Sequence, residues 1–85
     1  LSEAERAAAL AIPRAIKAAQ ESPDPLAAAQ KTLAAEPGLD VDYVVVRATD
    51  LGEAPAQGPA RLLIAAKAGT TRLIDNASVH IGDAR

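Results

Sequence analysis

The sequence predicts an α+β fold, a small domain in which two or three helices pack on one face of a three-stranded antiparallel sheet. Three observations lead there. Alanine-rich helical periodicity with capping residues fills the chain up to Pro37, a β-branched run with strand period begins at Val41, and a tight Ala68-Gly69-Thr70 connection joins two further strand-forming runs.

The helices come first. Ser2 and Glu5 have the spacing of a capping box, each able to satisfy an orphan amide of a first turn, so a helix is expected to start there. On a helical wheel Ala8, Ile12, Ala15, Ile16 and Ala19 share one face and are expected to pack inward, whereas Leu10 falls elsewhere, among Arg6, Arg14 and Lys17. Pro13 lacks a backbone donor and should kink or divide this helix. Glu21 to Pro25 is a break in which either Ser22 with Pro23 or Asp24 with Pro25 suits the cap and first turn of a second helix. Its inward face holds Leu26, Ala29 and Leu33, and Pro37 with Gly38 ends it.

In the first strand Val44 and Val46 point one way and Tyr43, Val45 and Arg47 the other, so apolar residues occupy both faces. Such a strand is covered twice or has one face waiting for a partner. The stretch from Asp50 to Pro59, with two glycines and two prolines, reads as a surface loop. A second strand from Ala60 to about Lys67 sets Leu62, Ile64 and Ala66 against Arg61, Leu63, Ala65 and Lys67. The third, from Thr71 onward, forms a hairpin with it. Within that third strand Asp75 and Asn76 defy strand propensity, a conflict that proteins keep for a structural or functional reason.

Composition narrows the chemistry. At 85 residues there is room for a single domain, residues 1–85, and about half of its apolar residues are alanine, so Leu, Ile and Val must supply the core, with Tyr43 the sole aromatic. A net charge of −2 with interspersed signs leaves no basic footprint for nucleic acid. Without cysteine there are no disulfides or thiolate metal sites, and with no signal peptide or membrane-length apolar run the expected location is the cytoplasm. A chain that opens on Leu1 and lacks methionine is read as a piece of a longer protein.

Few residues are candidates for chemistry. His80 is the sole histidine, set on the face opposite Ala77, Val79 and Ile81 and expected to be exposed, with no second imidazole for a metal site. Ser2, Ser22 and Ser78 have no neighbouring base, and no phosphate loop or dinucleotide fingerprint is present. Arg47, Arg61, Lys67 and Arg72 either collect on the sheet to meet an anion or are ordinary strand-face charges that discourage aggregation. Asp75 either pairs with an arginine or accepts backbone amides, and Asn76 satisfies a bulge or loop. A lone carboxylate offers no mechanism of its own.

Three segments carry a family likeness: DVDYVVVRATDLG from Asp40 to Gly52, GPARLLIAAKAG from Gly58 to Gly69 and, most specific, GTTRLIDN from Gly69 to Asn76. Together with the opening LSEAERAAAL they resemble the carboxy-terminal domain of the pantothenate synthetase (pantoate-β-alanine ligase) family, in order and spacing over nearly the whole chain. The resemblance implies a full-length enzyme in which an amino-terminal Rossmann domain is this chain's partner and this smaller domain acts as a lid. It implies formation of pantoyl adenylate from ATP, with Mg, and pantoate, then attack by β-alanine to give pantothenate, AMP and pyrophosphate, in a homodimer.

The family's His-containing motif, its Lys and its Ser-Ser-Arg linker motif have no counterpart here. Carried over residue by residue, the likeness therefore assigns no catalytic, cofactor-binding or metal residue to this chain, and the 85 residues alone are expected to be inactive. Val45, Ala77, Ser78 and His80 depart from the family pattern, so the surface offered to the partner domain is expected to differ there. Tyr43, Val45 and Leu10 are expected to mark that surface. The alternative is a free-standing interaction module that binds through its open sheet face or edge.

Overall fold

The computed structural model describes residues 2–82; Leu1 and residues 83–85 lie outside them. Three helices, α1 (Glu3–Ala9), α2 (Ala11–Gln20) and α3 (Pro25–Ala34), precede three strands, β1 (Leu39–Arg47), β2 (Gly58–Ala68) and β3 (Thr71–Ile81). The strands form one antiparallel sheet in the order β1-β2-β3, with the helices on one of its faces. This is the α+β arrangement that the periodicities predict.

The capping box closes α1 as expected. Glu5 N–H donates to Ser2 Oγ at 3.1 Å and Ser2 N–H donates to Glu5 Oε1 at 2.8 Å. Pro13 divides the helix rather than kinking it, and the break falls at Leu10. The reason is geometric: an uninterrupted helix would ask the proline for an N–H and push its ring against the carbonyl four residues back, at Ala9. Restarting at Ala11 puts Pro13 in the first turn, where no N–H is needed. Of the two candidate caps for α3, Asp24 with Pro25 is the one used, Asp24 Oδ1 accepting from Ala27 N–H at 3.2 Å. Ser22 instead steadies the loop, its Oγ accepting from Asp24 N–H at 3.0 Å.

Ala11, Ala15, Ala19 and Ala29 are wholly enclosed, joined by Ile12 and Leu33. Small side chains on facing helices let the backbones approach closely, so alanine contributes here through proximity more than through its own area. Ile16 and Leu26, expected inside, pack against the cluster from its margin, and Ala11 joins the inward face. From β2 the residues Ala60, Leu62, Ile64, Ala66 and Ala68 turn to the helices.

Strand β1 departs from simple alternation. Leu39 and Val41 face the helices opposite Ala68 and Ala66, but the register slips between Val41 and Tyr43, so that Val44 and Val46 face them next. The extra residue is Asp42, a β-bulge that sends Asp42 and Tyr43 to the same open side. The valine phase read from the sequence holds because the bulge corrects for Leu39 and Val41.

Candidate functional site on the open face of the sheet

The second face of the sheet carries no helix, and the register sets out what it displays. Across the three strands Tyr43, Ala65 and Ile74 form one row and Val45, Leu63 and Asn76 the next. Tyr43 is 38% exposed and Ile74 66%, while Ala65 is buried beneath its neighbours. Charged rows flank this apolar centre. Asp40, Lys67 and Arg72 lie at one end, and Arg47, Arg61 and Ser78 at the other.

The four cations do gather on one face, as one of the two expectations had it, but not at one place. Arg61 and Lys67 are six positions apart in β2, roughly 20 Å along the strand. Arg72 is held by Asp42 at 2.8 Å, which the bulge brings onto this side, and both side chains are about half exposed. With Asp40 and Lys67 between them, that end is electrically balanced, around a shallow depression of about 240 Å³. At the other end Arg47 and Arg61 stand directly opposite each other, and Arg61 donates to Asn76 Oδ1 at 3.2 Å. The face is therefore apolar in the middle, neutral at one end and cationic at the other.

Asp75 and Asn76 part company. Asp75 accepts a backbone amide, that of Asn76 at 2.8 Å, and among the described residues no arginine is bonded to it. Asn76 sits in regular register opposite Leu63 rather than in a bulge, and anchors Arg61. His80 differs from its expected exposure. It is partly buried opposite Pro59, and its Nδ1 is shut off from solvent without a hydrogen-bond partner among the described residues. No carboxylate or second ligand orients it there, and no group of three or more His, Asp or Glu side chains suited to a metal ion occurs among the described residues.

Leu10, 55% exposed at the α1-α2 break, belongs to the helical layer, whereas Tyr43 and Val45 belong to the opposite side of the sheet. One flat surface cannot take in all three. The residues that join Tyr43 and Val45 are Leu63, Ala65 and Ile74. Their association was available from the two-residue Gly69-Thr70 connection, which fixes Ala65 opposite Ile74.

The comparisons with known proteins agree with this architecture. Residues 1–78 match the family model of pantoate-beta-alanine ligase. The chain is 52% identical to the pantothenate synthetase of Saccharopolyspora erythraea and 51% identical to that of Nocardia farcinica, over 98% and 96% of its own length. It spans only 29% and 27% of those relatives. A crystal structure of pantothenate synthetase from Thermus thermophilus superposes with a TM-score of 0.76 at 29% identity, covering 91% of this chain and 31% of that one. No helix among the described residues is long and apolar enough to cross a membrane. With the fold of one pantothenate synthetase, half its residues shared with two others and a family model that matches residues 1–78, the chain belongs to the pantoate-β-alanine ligase family.

Proposed function

We propose that this chain is the carboxy-terminal lid domain of a longer, ATP-dependent cytoplasmic ligase that joins pantoate to β-alanine through pantoyl adenylate, releasing AMP and pyrophosphate. The observation that carries this reading is the 52% identity over almost the whole chain to a pantothenate synthetase more than three times as long. Substrates, ATP with Mg included, bind mainly to the amino-terminal Rossmann domain, and the complete enzyme is a homodimer. This chain supplies no catalytic, cofactor-binding or metal residue. Its contribution is positional: a closing domain excludes water and holds the linker motif over the acyl-adenylate, so that reacting groups are fixed before reaction.

The open sheet face is the surface that meets the rest of the enzyme, because its centre of Tyr43, Val45, Leu63 and Ile74 is too apolar to be left wet across a functional lid. A free-standing interaction module would use the same face, but it leaves the family match without a cause.

Pyrophosphate release from ATP and pantoate tests the proposal. The 85-residue chain alone is expected to release none, and the full-length ligase carrying Ile74→Asp is expected to lose on the order of 100-fold in kcat/KM, the scale of a misplaced reacting group. Turnover by the isolated chain would overturn the first statement, and an unimpaired Ile74→Asp ligase the second.

A further inference from the structure

The Asp75-Asn76 pair has a role that neither the fold nor the proposed lid requires. Strand β3 is an edge of the sheet, and eleven residues of edge strand offer a long row of free backbone groups to any passing strand. The register shows which groups these are. Ala68 and Thr71 flank a two-residue turn, so they exchange hydrogen bonds, and so does every second pair after them: Ala66 with Leu73, Ile64 with Asp75, Leu62 with Ala77. The alternate residues of β3, Arg72, Ile74, Asn76, Ser78 and His80, therefore turn their N–H and C=O outward.

In the middle of that outward row two groups are already taken. The Asp75 carboxylate, whose side chain leaves from the helix-bearing face, curls over the edge and accepts Asn76 N–H at 2.8 Å. Gln20, the last residue of α2, donates from Nε2 to the carbonyl of Ser78 at 3.2 Å. Just beyond the strand, Gly82 N–H is bound to Pro23 O at 2.8 Å, so the loop before α3 ties down the same end. An incoming antiparallel strand needs both the N–H and the C=O of each outward residue it pairs with. Asn76 lacks a free donor, Ser78 lacks a free acceptor, and a carboxylate on the edge must lose its water before a strand can approach. What remains open, Arg72 with Ile74 and, cut off from them, His80 alone beside the tied-down end, is too short on either side for a stable ladder, and Arg72 carries a charge.

We infer that Asp75 and Gln20 are edge guards, which keep β3 from pairing strand to strand with a second copy of this chain. The guard explains why a strand keeps the poor strand former Asp75: its carboxylate covers the next backbone amide, while the Asn76 side chain holds Arg61.

Sedimentation of the purified protein tests this. Asp75→Val gives a residue that favours strands and no longer covers the Asn76 amide, so its weight-average mass is expected to rise with concentration to at least twice that of the unaltered protein. In hydrogen exchange the amides of Ile74, Asn76 and Ser78 become protected in step. Adding Asn76→Pro to Asp75→Val removes the outward donor without costing a ladder bond, and is expected to restore the original mass. The inference fails if Asp75→Val keeps the unaltered mass at every concentration, or if the added proline does not reverse association, which would mean exposed apolar surface rather than the edge. Should circular dichroism show that Asp75→Val is unfolded, Gln20→Ala takes its place. The same rise is then expected in smaller degree, and a constant mass overturns the inference.

Discussion

Leu62 and Leu63 are neighbours in β2 that face opposite sides of the sheet, and truncating each to alanine separates the covered face from the open one. Leu62 is fully enclosed among the helices, one of very few large side chains so placed, with Leu33 and Ile64. Leu62→Ala is expected to cost about 3 kcal/mol, as the lost transfer of the removed methyl and methylene groups is joined by a cavity that the surrounding alanines cannot fill. A domain of 85 residues has roughly 4–13 kcal/mol of total stability, so this one change removes a large share of it. Leu63 is half-buried on the uncovered face, where water enters the space left behind. Without a dry cavity Leu63→Ala is expected to cost about 1.5 kcal/mol or less. Urea unfolding followed by circular dichroism resolves the two, because at a slope of about 1 kcal/mol per molar their midpoints differ by roughly 1.5 M. Equal losses would refute the one-sided core, and a midpoint for Leu63→Ala that depends on protein concentration would show that another copy covers that face.

Three further outcomes follow from local geometry. Gly69 has a φ of +64°, and a Cβ there would collide with the Glu5 carboxylate, so Gly69→Ala is expected to lose about 1–2 kcal/mol from backbone handedness alone and more from the collision. Repeating it in Glu5→Ala should show a smaller loss, and an identical loss in both backgrounds would disprove the contact. The Glu5 carboxyl is held below its ordinary value of 4.5, chiefly by the Ser2 backbone N–H and also by its hydroxyl. Because that pKa is lowered on folding, the stabilising contribution is present above the ordinary value and fades as pH falls through the lowered one. Amide protection in α1, taken relative to the intrinsic exchange rate at each pH, should fall over that acidic range in the native protein and show no such step in Glu5→Gln. Asp24→Ala removes the side-chain N-cap of α3 and is expected to cost about 1 kcal/mol in thermal unfolding, whereas Asp24→Asn keeps most of that stability.

Much of the architecture was legible along the chain because it depends on near neighbours. A capping box needs only Ser2 and Glu5 and a hairpin needs only the Gly69-Thr70 turn, whereas the start of α3 was narrowed to two caps, Ser22 or Asp24, between which the structure chose. The division at Leu10 was half legible: Pro13 announced a break, but where it falls depends on which carbonyl the ring would strike. The open face was harder to see. Its members are scattered over three strands, and only the register places Tyr43 beside Ala65 and Ile74.

By itself, then, the sequence determined the order and type of elements, the absence of cysteine chemistry and the family likeness, since each is written in spacings of a few residues or in side-chain identity. Tertiary structure alone decided the rest. A bulge at Asp42 put that carboxylate beside Arg72, thirty residues away in the chain, and an edge position gave Asp75 a free amide to cover. Partners of that kind are chosen by strand pairing, whose register is fixed by turns and by burial of one face, and no short window of residues contains both.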